Sequence, residues 1–283
     1  MRLLIGYDGS SYADAAIADL QRAGLPPDVE ALVVTVGDAP LVAPFASHRI
    51  IEQTFVGERV RLIVEHANRQ VSEALTEAKR FACSGASQLK SLHPSWQVQS
   101  EVAAGKPATE LIRVAANWCA DLIVVGTQGR SALGRLLLGS VSLEVARQAP
   151  CSVRIGRALT KTKGLDSRVL VGLDRSRAAD RVLRHVLQRT WPAGTELRVV
   201  NVDDRVTAPV GVFRELFVDG LKVSAGILEG DPRDVLIAEA NSWEAECIVF
   251  GSQLGGDRTE GFLDSGICAA LTANTDCSLE VVR

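Results

Sequence analysis

The sequence predicts an α/β protein of two tandem, doubly wound domains, each with a parallel five-stranded sheet in the order 3-2-1-4-5. Three observations predict it. Runs such as Leu122 to Val125 and Ile248 to Phe250 are apolar at every position, as strands are when both faces of a parallel sheet are covered. These runs alternate with helical patterns, which calls for strand–helix–strand crossovers. The whole series then occurs a second time along the chain, so the same domain is expected twice.

The elements of the first copy follow in order. MRLLIGYDGS supplies the first strand, which ends at Asp8, and Ser10 stands as the N-cap of the helix behind it. The second strand, ALVVTV, ends at Val36. Between Gly37 and Ser95 lies a long helical pattern, from about Ile51 to Ala82, with Val56, Val60, Ile63, Val64, Ala67, Val71 and Leu75 as its apolar stripe. EVAAGKPATELIRVAANW then brings a strand to a turn at Gly105 and starts a helix with Pro107 at its first position. ADLIVVGTQ is the fourth strand, Gly139 and Ser140 open another helix, and PCSVRI is the last strand.

The second copy matches segment by segment. VLVGLDRS repeats LLIGYDGS, so Asp174 answers Asp8; ELRVVNV answers ALVVTV. AGILEGDPRDVLIAEANSW sets Gly230 against Gly105, Pro232 against Pro107 and Trp243 against Trp118. AECIVFGSQ repeats ADLIVVGTQ, and DCSLEV repeats PCSVRI. The domains are expected at 1–157 and 168–283, joined by the polar linker ALTKTKGLDS from Ala158 to Ser167. Between its second and third strands the later copy has only Asp203 to about Gly220, room for no more than a remnant of the long helix. The apolar surface so uncovered would need the neighbouring domain or another chain.

Composition narrows the function classes. The 283 residues carry a net charge of −3 with both signs interspersed, which gives no electrostatic footprint for nucleic acid. No apolar run reaches the roughly 18 residues of a membrane span, and the first residues read as a strand rather than a signal peptide, so a cytoplasmic location is expected. The six cysteines form no Cys-x-x-Cys pair and are expected as buried, reduced, small apolar residues. His48, His66, His93 and His185 are scattered singly and are expected at the surface or satisfied.

Chemistry concentrates in GTQGRSALGRLLLGS, Gly126 to Ser140. Gly126 and Gly129 suit a loop of inward N–H groups by admitting positive φ and a close ligand, while Gly139 and Ser140 set unpaired N–H groups at a helix start, where anions are favoured. Arg130 and Arg135 add full charges for a polyphosphate. Gly129, Gly134 and Arg135 have P-loop spacing without its Lys and Ser/Thr, and no Gly-x-Gly-x-x-Gly follows an early strand. In the expected strand order, Asp8 and Gly126 end neighbouring strands where the order reverses, the place where such sheets bind ligands. There Asp8 is suited to a ribose hydroxyl or a base amine, or else to capping the helix. Thr35 and Val36 are suited to wall a base.

The set Asp8-Gly9-Ser10, Val36, Gly105-x-Pro107, and Gly126-x-x-Gly129 followed nine residues later by Gly139-Ser140-Val141-Ser142 resembles the universal stress protein family, in its tandem form. The resemblance covers nearly the whole chain. It implies a Rossmann-like domain that binds ATP, with Mg²⁺ or Mn²⁺ as an accompanying ion, and that pairs through its last strand. By matching position, Asp8 and Val36 would contact the adenosine end, and Gly126, Gly129, Arg130, Gly139, Ser140 and Val141 would hold ribose and phosphates. Gly9, Ser10, Gly105, Thr127 and Ser142 complete the implied cofactor-binding set.

The second copy departs from this pattern. Arg175 replaces Gly9, Ser265 and Gly266 stand where Gly139 and Ser140 would, and Leu254 or a shifted Gly255 takes the place of the second loop glycine. Asp257, Glu260 and Asp264 enter the loop against a single Arg258, so phosphate is repelled there. Nucleotide binding is therefore expected in the first copy and weakly or not at all in the second. The functional expectation is a nucleotide-dependent regulator of the stress response; the alternatives are a slow ATP hydrolase on the same fold and a nucleotide-free scaffold. No evident general base accompanies the loop. Pairing is expected as a homodimer or, within one chain, as a pseudo-dimer through the last strands, which are sheet edges.

Overall fold

The computed structural model describes residues 1–37, 58–129, 138–158, 167–174, 178–202, 213–218, 220–251 and 265–283. The first half contains β1 (Arg2–Gly6), α1 (Ser11–Asp19), β2 (Glu30–Gly37), α2 (Glu58–Leu92), β3 (Gln97–Ala104), α3 (Pro107–Trp118), β4 (Leu122–Gly126), α4 (Ser140–Gln148) and β5 (Ser152–Gly156). The second contains β6 (Arg168–Leu173), α5 (Ala178–Leu187), β7 (Glu196–Val202), β8 (Arg214–Val218), β9 (Leu221–Leu228), α6 (Pro232–Ser242), β10 (Cys247–Gly251), α7 (Ser265–Asn274) and β11 (Ser278–Val282). All strands join one sheet of order β3-β2-β1-β4-β5-β11-β10-β6-β7-β9-β8.

The first five strands are parallel and in the order the sequence predicts. β4 and β5 are buried at every position, because helices cover both faces. Each Leu or Ile taken fully from water here contributes about 1.5–3 kcal/mol. On one face Leu3, Ile5, Ile17, Leu20, Val33 and Leu89 form a core private to the first half. On the other face the core is shared: Val145 and Ala146 of α4 belong to the same cluster as Ile267 and Leu271 of α7.

Three expectations need correction. The long helix continues to Leu92, ten residues past Ala82, because Ala78, Ala82 and Leu89 keep its buried stripe in register with the sheet; the stretch 51–57 lies outside the described residues. Among the described residues the second half has six strands rather than five: β8 pairs antiparallel with β9, with Val218 opposite Leu221 and Gly220 at φ +83° before it. An edge strand therefore lies in the stretch where the long helix was expected to be missing or reduced to a remnant, and the Asp219-Gly220 dipeptide is the sequence signal for it. Finally, Cys247, Cys268 and Cys277 are buried, but Cys83 and Cys119 are exposed; all six cysteines are free thiols.

The two repeats share backbone detail as well as order. Gly105 and Gly230 both have φ +137°, ahead of Pro107 and Pro232, which begin α3 and α6. Behind the same helices Cys119 and Glu244 adopt left-handed conformations, φ 53° and 52°. The left-handed region costs a residue with a Cβ about 1 kcal/mol. Cys119→Gly, exposed and at a helix C-cap, is therefore expected to stabilise the chain by about that amount, read as a higher urea midpoint at unchanged slope.

Candidate functional site

β1 and β4 lie side by side, Leu3 opposite Leu122 through Ile5 opposite Val124, so their carboxyl ends open on one crevice where the strand order reverses. The chain leaves β1 through Tyr7 and Asp8. Asp8 Oδ1 accepts from Ser10 N at 3.0 Å, which folds a tight turn around Gly9 at φ +77°. A Cβ at Gly9 would lie 2.3 Å from the Phe81 ring of α2, so only glycine fits both the backbone and the space. Ser10, not Asp8, caps α1: its Oγ accepts from Ala13 N at 3.2 Å.

The fourth strand is anchored from two sides. A Cβ at Gly126 would meet Tyr12 O at 2.7 Å and Ala13 N at 3.1 Å. Gly126 is thus glycine because α1's first turn presses on the strand end. Its carbonyl accepts from Ser142 Oγ at 2.7 Å, and Gly139 N donates to Thr127 O at 2.8 Å. These two bonds close the glycine loop at its base, with Ser142 and Thr127 both buried. Gly139 is the N-cap of α4 at φ −63°, Ser140 is exposed at its first position, and Val141 is half-buried against the shared core.

None of Gly126, Gly129 and Gly139 has positive φ; what they share is proximity. A Cβ at Gly139 would lie 3.2 Å from Gln128 Cα, and one at Gly129 would lie 3.0 Å from Asp8 Oδ2. Gly129 and Asp8, 121 positions apart in sequence, therefore come together beyond the ends of β1 and β4. Arg130 and Arg135 fall outside the described residues, as do Arg175, Leu254, Gly255, Asp257, Arg258, Glu260 and Asp264 of the second copy.

The remaining predicted residues frame the crevice. Val36 is half-buried at the end of β2, while Thr35 is buried and donates to Tyr7 O at 2.7 Å. Gly105 N donates to Gly37 O at 3.3 Å, tying the turn after β3 to the end of β2. Two residues that sequence reading passed over hold the frame. Tyr7 donates to Asp14 Oδ1 at 2.6 Å; burial first, and then this hydrogen bond, push its pKa up to about 12. Phe81 packs on Gly9. Both come from apolar patterns that look like ordinary core, so no local signal marks them.

Among the described residues no group of three or more His, Cys, Asp and Glu could hold a metal ion. His93 stacks on Trp96 with ring centroids 3.8 Å apart, His66 is exposed, and His185 lies in the seam between the halves. No helix among the described residues is long and apolar enough to cross a membrane.

Comparison with known proteins agrees with this architecture. The universal stress protein family model matches residues 1–157. A universal stress protein of Mycolicibacterium smegmatis is 25% identical over 303 aligned positions, covering 99% of this chain and 96% of that protein. The Thermus aquaticus universal stress protein encoded in the QAH/OAS sulfhydrylase 3' region is 30% identical over 155 positions, 55% of this chain and 97% of its own length. Among solved structures, a universal stress protein from Archaeoglobus fulgidus superposes with a TM-score of 0.63 at 20% identity, over 100% of this chain and 98% of that one. The chain belongs to the universal stress protein family.

Proposed function

We propose that the first half, residues 1–157, binds ATP in the crevice between β1 and β4, and that the chain acts as a nucleotide-dependent regulator of the stress response. One observation carries this reading: Gly129 comes so close to Asp8, beyond the ends of β1 and β4, that a single Cβ at position 129 would lie 3.0 Å from the carboxylate. A crevice left open by a missing side chain, beside N–H groups at the start of α4, suits phosphate. Asp8 offers an acceptor for ribose hydroxyls, and Val36 an apolar wall for the base. Gly126, Thr127, Gly139, Ser140, Val141 and Ser142 shape the phosphate end, to which Arg130 would add charge and Mg²⁺ or Mn²⁺ would be brought with the nucleotide. Gly9, Ser10 and Gly105 hold the turns that carry these groups.

Binding is favoured over dedicated catalysis because the nearby acid–base groups are already engaged. Asp8 Oδ1 accepts from Ser10 N, and Tyr7 remains protonated through the physiological range. The second half, residues 168–283, keeps Asp174 and the turn at Gly230, but its acidic loop sequence disfavours phosphate. One nucleotide per chain is the expected stoichiometry, in a cytoplasmic protein.

Calorimetric titration of the full chain with ATP and Mg²⁺ tests this. Among the described residues Gly129→Val has only Asp8 within reach of its Cβ, so it is expected to weaken ATP by at least ~10-fold, or about 1.4 kcal/mol. Its effect on unfolding should stay within ~0.5 kcal/mol. Unchanged ATP affinity in this variant would remove the site from the crevice.

A further inference from the structure

Where the two halves meet, β5 and β11 run antiparallel with Val153 opposite Val281, Arg154 opposite Glu280 and Ile155 opposite Leu279. The internal repeat equates Arg154 with Glu280, Val153 with Leu279 and Ile155 with Val281. A pseudo-two-fold axis therefore passes through the Arg154–Glu280 pair. The same axis relates Asp19 to His185, Ala23 to Arg189 and Gly24 to Thr190. Across it Arg189 Nη1 donates to Ala23 O at 2.6 Å, and Thr190 N to Gly24 O at 2.9 Å.

The charges break this symmetry. Arg154, the largest fully buried side chain among the described residues, donates from Nε to Asp19 Oδ2 at 2.6 Å and from Nη1 to Glu280 Oε2 at 2.8 Å. Glu280 Oε1 is met by His185 Nε2 and by Arg189 Nη2. Ser278 Oγ donates to Asp19 Oδ1 at 2.9 Å. At matching places the first half thus carries Asp19 and Arg154 where the second carries His185 and Glu280. Two first halves joined in this register would set Arg154 against Arg154, and two second halves would set Glu280 against Glu280. Like charges directly opposite destabilise a strand pair, and each would keep only its own half's counter-charges, Asp19 for Arg154 and His185 with Arg189 for Glu280, having lost the direct Arg154–Glu280 pair.

We propose that this seam is a pairing code: it joins an arginine-bearing half to a glutamate-bearing half and bars either from pairing with a second copy of itself. The chain consequently closes on itself, and its last strands recruit no further chain. Buried charge here selects the partner rather than adding net stability.

Mixing two full-length variants tests the code. Arg154→Glu leaves only glutamate-centred halves, and Glu280→Arg only arginine-centred ones. Each alone is expected to sediment as one chain, whereas an equimolar mixture yields a two-chain species, since the untouched second half of the first variant fits the untouched first half of the other. A mixture that stays at the mass of one chain, or an equal amount of dimer in either variant alone, overturns the proposal. Where charge reversal prevents folding, Arg154→Gln and Glu280→Gln replace it. Amide exchange in β5 and β11 is then expected to accelerate by on the order of tenfold, and unchanged protection in both overturns the proposal equally.

Discussion

Arg154→Met is expected to lower the unfolding free energy by about 3–5 kcal/mol, the cost of breaking a buried ion pair from one side. The arginine and Glu280 are each only 1% exposed, and Asp19 is held by the same guanidinium. Methionine fills much of the volume but leaves Asp19 and the Oε2 side of Glu280 without a cation. The loss is predicted as a fall in urea midpoint at constant slope if unfolding stays cooperative, and as a second transition if the halves part first. A change under 1 kcal/mol would show that water or rearrangement compensates.

The same pair gives the seam an acid limit. Burial works to raise the Glu280 pKa, but Arg189, His185 and Arg154 outweigh it and hold the carboxyl far below the usual carboxylate range. Burial likewise opposes the Arg154 charge, and Asp19, Cys247 and Glu280 overcome it. For a carboxyl whose folded pKa is depressed, the stabilisation is fully present above the unfolded value near ~4.3 and is lost as pH falls below it. Stability contributed by Glu280 should therefore be flat from neutrality to about pH 5 and decline in acid. In Glu280→Gln the corresponding part of the acid slope should vanish, measured by denaturant unfolding at a series of pH values.

Gly126→Val is the second large effect. Its Cβ would collide with the backbone of Tyr12 and Ala13 at 2.7 and 3.1 Å, atoms that cannot swing aside as a side-chain tip can. Overpacking against backbone costs about 1–3 kcal/mol, and relief requires α1 to move off β4. Because α1 begins immediately after the Asp8-Gly9-Ser10 turn, that movement also shifts Asp8. The variant should thus lose stability and ATP affinity together, in contrast to Gly129→Val, which should lose affinity alone. Calorimetry paired with thermal unfolding distinguishes them, and a stable Gly126→Val that binds ATP normally would contradict the contact.

That β1 and β4 end side by side was legible in the sequence. Continuous apolar strands, a fixed helix order and the handedness of crossovers leave few topologies, and in the expected one Asp8 and Gly126 become neighbours. Other features were illegible for equally physical reasons. Gly126 and Gly129 read as residues of positive φ, yet their backbones need none; they are small because Tyr12 and Asp8 come close, and closeness across more than 100 positions leaves no local mark. Phe81 and Tyr7 read as core, since packing on a turn looks like any other burial in sequence.

By itself the sequence determined the α/β class, the repeat, the strand order of the first half and the family, because periodicity, glycine spacing and self-similarity are local or recurring properties. Tertiary structure alone decided which edges meet. The sequence left β5 and β11 equally suited to pairing within the chain or between chains; the fold joins them in one eleven-stranded sheet. The choice rests on Arg154, Asp19, His185, Arg189 and Glu280, whose charges are ordinary singly and complementary only once folding brings them into one water-excluded seam.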